Sequence, residues 1–390
     1  YPRPSTLGWL LFLSGLGALT IAPLTDLIGA APLQTTLMLR ILLLTTAIFF
    51  VPSTLLGMIS PVVVKLTLDN LSRTGNVVGK IYAFSTLGSI IGTFATGFFL
   101  ISWMGTRSLL LAMGAVLIVS AFLFGGRFMK RGAAAISAAA VLSVGAFLFA
   151  AFGYAYRPLL DEKVYYYKES DYFTIKLMKY PIKGGTVEGE ALILDNLIHS
   201  INDVSDPAFL DYDYIRIYEE LVGWQMQSRA SLDALFIGGG GYTFPRYMEA
   251  AYPGARIDVV EIDPEVTRIV HEHLGLPRST TIRSFNEDGR WFVMNSKDQG
   301  RYDFIFGDAF NDLSIPYHLT TREFAHQMKA LLKPDGLLIA NLIDSVTEGL
   351  FLPSYIRTLE DVFGKGNVNL LVLAPELQRR WKSWQPQITI

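Results

Sequence analysis

The sequence predicts an N-terminal α-helical transmembrane bundle, then a small antiparallel β region, then a doubly wound α/β sheet. Three observations predict it. Residues 1–156 are nearly all apolar, in runs long enough to cross a bilayer, while the rest has the composition of a water-soluble protein. Residues 157–225 hold short β-branched and aromatic runs separated by turn residues. The stretch Asp233–Asp263 reads DALFIGGGGYTFPRYMEAAYPGARIDVVEID. An apolar run meets Gly238, Gly239, Gly240 and Gly241, a helix-length segment follows, and a second apolar run closes on Glu261 and Asp263. Strand, tight glycine turn, helix and strand, with an acid about 20 residues on, is the layout of a Rossmann-like nucleoside site. The glycines let backbone approach the ligand, and the acid accepts hydrogen bonds from a ribose diol.

Composition narrows the function classes. The chain has 390 residues, 51% hydrophobic and 17% charged, with a formal net charge of −2, which excludes a general nucleic-acid binder. It contains no cysteine, so disulfides, thiol nucleophiles and Cys-based metal sites are excluded. No His-Glu-Xaa-Xaa-His or similar ligand spacing occurs, and no metal is expected. The sequence starts at Tyr1 rather than Met, which leaves room for an upstream segment.

A span takes roughly 20 apolar residues. Five are expected: Leu7–Ile28, Leu37–Ile59, Ile81–Met104, Ser108–Gly125 and Ala133–Tyr154. Gly88, Gly92 and Gly97 put small residues on neighbouring faces of the third, a spacing that suits close helix packing. Basic residues concentrate in the second loop (Lys65, Arg73, Lys80) and the fourth (Arg127, Lys130, Arg131). The positive-inside rule makes those loops cytoplasmic, so five spans would place the soluble part on the other side. A nucleotide site belongs in the cytosol, and the two readings leave the side open.

In the β region, strands are expected at Val164–Tyr167, Tyr172–Met178, Ala191–Leu194 and Leu197–Ile198, with turns at Gly184-Gly185 and Asp195-Asn196. A helix should follow from Asp211 to Met226, aromatic through Tyr212, Tyr214 and Tyr218 and acidic through Asp213, Glu219 and Glu220. From 226 to 390 the sheet continues. Pro264–Leu274 reads as helix and Thr280–Arg283 as the third strand, followed by Asp288-Gly289. An acid there can meet an adenine amino group. Tyr302–Asp308 is a buried strand ending in a carboxylate, and ligands bind beyond such strand ends, so Asp308 faces the reacting part of the ligand. Asp312, Tyr317 and His318 lie in the loop after it. Phe324–Leu332 reads as helix, Lys333–Gly336 as turn, Leu337–Leu342 as the fifth strand, and Phe351–Phe363 and Val368–Leu373 as a last helix and strand. Each acid alone reads most simply as a helix N-cap. Acids after strands two, three and four together favour a nucleoside pocket.

Ile237–Gly240, Val260–Asp263, Asp288-Gly289 and Gly307–Phe310 resemble the spermidine synthase (polyamine aminopropyltransferase) family. The resemblance covers about residues 162–345. Gly79–Gly88 resembles the spans of its membrane-integral bacterial members, which implies a multi-pass protein of the bacterial inner membrane. The sheet and the ribose acid are shared with methyltransferases. The resemblance implies decarboxylated S-adenosylmethionine as co-substrate, its ribose on Glu261 and its adenine on Asp288. It gives Asp308 the catalytic carboxylate, Tyr218 an active-site tyrosine, His199 a place near the donor that is commonly Gln, and Asp312 the distal amine. Family members commonly self-associate, so a homo-oligomer is expected alongside lipid and a small amine as partners.

The chain departs from the family pattern twice. The glycine loop usually continues with an Asp that holds the donor's aminopropyl ammonium, where Gly241 stands here, and Tyr-His-Glu reads Tyr218-Glu219-Glu220. Without the first acid, intact S-adenosylmethionine becomes an alternative donor. The implied chemistry is an SN2 displacement in which an amine attacks the methylene next to a sulfonium. An alkylamine has a pKa near that of lysine, about 10.4, so Asp308 would orient the ammonium and take its proton during attack. Two other readings stand beside it: an S-adenosylmethionine-dependent methyltransferase, and a non-catalytic membrane subunit with a synthase-like binding domain.

Overall fold

The computed structural model describes residues 3–29, 35–68, 74–124, 163–227, 231–309, 315–344, 349–372 and 387–389. The chain forms two compact units, Tyr1–Asp161 and Glu162–Ile390.

In the first unit, helices α1 (Pro4–Gly29), α2 (Leu37–Thr67), α3 (Thr74–Met104) and α4 (Thr106–Phe124) are each long and apolar enough to cross a membrane. They coincide with the first four expected spans, and the fifth, Ala133–Tyr154, lies outside the described residues. Met38, Phe84 and Trp103 point outward, 85%, 74% and 82% exposed, an arrangement that suits lipid and not water. Close packing occurs where α1 meets α4. A Cβ on Gly15 would lie 2.8 Å from the Gly114 carbonyl oxygen, so only glycine lets the backbones approach there. The glycine face of α3 behaves differently from expectation: among the described residues nothing comes within 4 Å of the Cβ positions of Gly88, Gly92 or Gly97.

The second unit opens with an antiparallel sheet of β1 (Val164–Glu169), β2 (Thr174–Ile182), β3 (Val187–Leu194) and β4 (Leu197–Asn202) in sequence order. Gly184 and Gly185, both at positive φ, and Asp195 at φ +55° make the two turns the sequence marked. Helix α5 (Asp213–Met226) then buries Tyr214, Tyr218 and Val222 on one face. The large sheet holds β5 (Asp233–Ile237), β6 (Arg256–Val260), β7 (Arg283–Phe285), β8 (Tyr302–Gly307), β9 (Leu332–Ile343), β10 (Leu371–Val372) and β11 (Gln387–Thr389). Its order is β10-β11-β9-β8-β5-β6-β7. The five strands from β9 to β7 run parallel, and β11 and β10 close one edge antiparallel. Helices α6 (Thr243–Ala251), α7 (Pro264–His273), α8 (Gly289–Asn295), α9 (Arg322–Leu331) and α10 (Phe351–Phe363) connect or flank the strands. β5 and β8 read as continuous apolar runs because both of their faces are covered. The chain leaves β5 toward β6 and β7, then returns to build β8 and β9 on its other side. Strand order therefore reverses between β5 and β8, where such sheets open a crevice.

Several strand boundaries differ from expectation, two of them for a visible reason. Thr280 and Thr281 belong to a loop, since their hydroxyls donate to the Glu249 carboxylate at 2.8 and 2.7 Å, and β7 starts only at Arg283. Lys333–Gly336 does not interrupt the fifth strand as a turn. It forms an irregularity inside β9, whose register steps from Tyr302↔Leu332 to Phe304↔Leu337. Lys333 holds it there by donating to Asp303 at 2.7 Å.

Candidate active site

The crevice is built from backbone first. Gly238 has φ +97°, and a Cβ there would lie 2.4 Å from the Asp308 carbonyl oxygen, so the loop after β5 and the tip of β8 can touch only with glycine between them. The Asp308 amide donates to the Ile237 carbonyl at 2.9 Å, which fixes the carboxylate beside the loop. The loop in turn grips Glu261. The amides of Gly239 and Gly240 donate to Oε2 at 2.9 and 3.2 Å, and the Asp263 amide donates to Oε1 at 3.0 Å. Burial pushes the Glu261 carboxyl above its usual range, and the three amides pull the other way. A carboxylate has about four acceptor positions, so one remains after these three bonds for a hydroxyl entering from the cavity.

That cavity is about 690 Å³, within the range of small-molecule sites. Gly238, Gly240, Glu261, Asp288, Gly289, His199, Asp308 and Tyr317 all line it. Asp288 caps α8, its Oδ1 accepting from the Trp291 amide at 3.0 Å, and its Oδ2 lies 2.9 Å from His318 Nε2. Gly289 sits tight beneath it, a Cβ there falling 2.6 Å from Ile237. Tyr317 is 85% exposed at the rim.

A second, smaller cavity of about 70 Å³ adjoins the first and shares His199, Gly238, Gly240 and Asp308 with it. Asp308 thus faces both. Asn341 Nδ2 donates to Asp308 Oδ1 at 3.1 Å, and the Tyr214 hydroxyl stands beside the same carboxylate and pulls its pKa down. Burial nonetheless raises the Asp308 carboxyl. Tyr218 is held by aromatic contacts with Tyr214, Phe244 and Phe306, its hydroxyl buried without a partner among the described residues. His199 Nε2 is also buried without a partner among the described residues, and burial drops the ring's pKa to about 4, so it is neutral at neutral pH. Gly239 lines this smaller cavity too.

The structure therefore gathers Gly238, Gly239, Gly240, Glu261, Asp288, Gly289, His199, Tyr218, Asp308 and Tyr317 around two adjoining hollows. Asp263 is a correction. It lines neither, being 1% exposed, with its carboxylate capping α7 through the Glu265 amide and accepting from the Ser170 hydroxyl. Its distance along the chain from the glycines suits a ribose acid, but of the two acids only Glu261 lines the larger cavity. Asp312 lies outside the described residues. Sequence reasoning missed Asn341, Tyr214 and Ser200. Asn341 had a signal, a lone amide inside the apolar run Leu337–Leu342. Tyr214 stands four residues before Tyr218 on the same helix face. Ser200 had none, because its position depends on how β4 meets the glycine loop.

A glycine loop clamped on a buried acid, at the strand-order reversal of a parallel sheet, is an arrangement of the Rossmann-like class. Residues 217–383 match the model of the spermine/spermidine synthase domain. The chain is 41% identical over 108 residues to the polyamine aminopropyltransferase of Vibrio vulnificus, covering 27% of this chain and 36% of that protein. It is 32% identical over 135 residues to a probable polyamine aminopropyl transferase of Bifidobacterium longum, covering 34% and 29%. An N-terminal histidine N-methyltransferase of Emericella nidulans is 30% identical over 181 residues, covering 45% and 31%. The chain spans about a third of the length of each of these relatives.

Proposed function

We propose that the chain is a membrane-anchored aminopropyltransferase that moves an aminopropyl group from decarboxylated S-adenosylmethionine to a small diamine such as putrescine. The observation that carries this reading is the position of Asp308, a desolvated carboxylate at the junction of a nucleoside-sized cavity and a small polar one. Adenosine fills the larger space, with ribose hydroxyls on the remaining acceptor position of Glu261 and adenine toward Asp288. The sulfonium then lies near Gly238, and the amine approaches Asp308. The carboxylate binds the ammonium form, accepts its proton as nitrogen attacks, and is kept in line by Asn341 and Tyr214. A low-polarity wall of Phe236, Phe244 and Tyr218 strengthens these charge interactions. The apolar helices anchor the site to the membrane.

A second reading is an S-adenosylmethionine-dependent methyltransferase. It is favoured by Gly241, which leaves the loop without an acid for an aminopropyl ammonium, and by the similarity to an N-methyltransferase. Incubating the purified chain with putrescine and each sulfonium donor separates them. Methylthioadenosine with an alkylated diamine supports the first, S-adenosylhomocysteine with a methylated product supports the second. If neither nucleoside product forms and no donor binds calorimetrically, the domain is a non-catalytic module.

A further inference from the structure

Four residues that line the 70 Å³ cavity carry a buried polar atom without a hydrogen-bond partner among the described residues: Ser200 Oγ, Tyr218 OH, His199 Nε2 and Asn341 Oδ1. Ser200, Tyr218 and Asn341 are each at most 3% exposed. Leaving so many buried groups unpaired in one place is costly unless a bound molecule satisfies them. At roughly 10–15 Å³ for each water-sized group, the space holds about five, enough for the head of an amino acid.

The charges on the wall say what kind of head. Asp308 is the one charged side chain lining it among the described residues. Nor is there room for a second acid at the glycine loop, because a Cβ on Gly241 would fall 1.8 Å from Ser200 Oγ and 2.5 Å from Ser200 Cβ. Ser200 fills that space with a neutral hydroxyl. Helix α6 begins at the same wall with Thr243 and Phe244, and its N-cap Tyr242 offers no side-chain cap, so the positive end of the helix faces the cavity. The cavity thus presents acceptors for an ammonium (Asp308, Asn341 Oδ1) and, from other elements, donors for a carboxylate (the Ser200 and Tyr218 hydroxyls). Neutral His199 serves either according to its tautomer.

We propose that this cavity takes the amino-acid tail of intact S-adenosylmethionine, so that the site uses a carboxylated as well as a decarboxylated sulfonium donor, and that Ser200 sets this breadth. The inference rests on the nucleoside-sulfonium reading above. The bond changes are the same for both donors. The amine nitrogen bonds to the methylene next to sulfur, the C–S bond breaks with its electron pair remaining on neutral methylthioadenosine, and the amine proton passes to Asp308. One donor delivers a 3-aminopropyl group and the other a 3-amino-3-carboxypropyl group.

The test is calorimetric titration of the full chain in nanodiscs with methylthioadenosine, decarboxylated S-adenosylmethionine and S-adenosylmethionine. Mass spectrometry of the amine product accompanies it. The two sulfonium donors should bind within about tenfold of each other, both yielding methylthioadenosine. Ser200→Ala should weaken S-adenosylmethionine roughly tenfold, the loss of one hydrogen bond to a charged group, and leave the decarboxylated donor nearly unchanged. The double variant S200G/G241D makes room for the acid and should reject the carboxylated donor by more than tenfold while keeping the other. Wild-type preference for the decarboxylated donor of a hundredfold or more overturns the donor breadth and leaves the nucleoside site standing. Equal weakening of both donors by Ser200→Ala removes Ser200 from the role. Failure of all three ligands to bind sinks the nucleoside reading and this inference together.

Discussion

The large sheet carries three acids near each end, and the two sets live in opposite surroundings. Near the amino ends, Asp233, Asp258 and Asp303 are buried among cations. Arg283 grips Asp258 through two bonds of 2.6 Å, Tyr302 donates to it at 2.8 Å, Arg256 pairs with Asp233 at 2.7 Å, and Lys333 with Asp303 at 2.7 Å. Beyond the carboxyl ends, Glu261, Asp288 and Asp308 have no Lys or Arg partner among the described residues. They rest on backbone amides, a histidine, an amide and a tyrosine. Acids that serve architecture come with their counter-ions in place. Acids left with spare acceptor capacity next to open space await a cation or hydroxyl from outside.

Substituting one acid at each end should separate these roles most sharply. Asp308→Asn keeps the shape and the Asn341 contact but removes the proton acceptor, so transfer should fall about 10²–10⁴-fold with methylthioadenosine affinity nearly unchanged. The same change should stabilise the unliganded fold at neutral pH. Burial raises the Asp308 pKa, so its ionisation costs folding energy that is absent below the ordinary carboxylate range and grows as pH climbs through the raised value. The melting-temperature advantage of the variant should therefore widen with pH and then level. Asp258→Asn should do the reverse. It leaves Arg283 without its acid, while Arg301 keeps Asp298 and Asp233, and should cost about 2–3 kcal/mol of stability, below the usual figure for a broken buried pair because Arg283 is half exposed. Donor affinity should not move. An Asp258→Asn variant with lost turnover and intact stability would erase the distinction between the two ends.

The sequence disclosed one of these ends better than the other. The glycine run, Glu261 and the strand-terminal Asp288 and Asp308 were legible because strand-turn-helix patterning fixes which residues sit at strand tips. Asp233, Asp258 and Asp303 passed unnoticed, since an acid inside an apolar run gives no hint of the arginine that meets it from a strand 25 residues away. Ser200 escaped for the same reason, its meaning arising only where β4 packs on Gly241. Asp263 misled because local spacing serves a helix cap and a ribose acid alike, and only the direction of the side chain tells them apart. The β7 boundary went astray through Glu249, a side chain from α6 that holds two threonines out of the strand.

His199 gives a third, intermediate contrast, as a base buried beside the carboxyl-end acids. Its pKa falls from the ordinary 6.5 to about 4 through burial. The unfolded chain then binds a proton that the folded chain refuses between those two values, and stability should drop by as much as about 3 kcal/mol as pH falls across that window. Thermal unfolding followed from pH 7 to 4 should show His199→Gln losing distinctly less than wild type. Parallel pH curves for the two would mean that the imidazole is solvated and does not wall the cavity.

The smallest expected effects concern two acids with the same local job and different outlooks. Asp263 and Asp288 both cap helices, accepting from the Glu265 and Trp291 amides at 2.9 and 3.0 Å. Replacing an N-cap acid with alanine costs about 1 kcal/mol, so the two variants should lose comparable stability. Asp263→Ala should lose somewhat more, because the Ser170 hydroxyl loses its bond to the buried carboxylate and keeps only the Phe173 carbonyl. Only Asp288 borders the larger cavity, where its other oxygen meets His318. Methylthioadenosine affinity should therefore fall about tenfold in Asp288→Ala, as expected for losing one hydrogen bond to a charged group, and stay level in Asp263→Ala. Equal losses in both would show that capping alone governs the pocket, with the nucleoside contact at Asp288 struck out. A loss confined to Asp263→Ala would return that residue to the ribose and displace Glu261 from it.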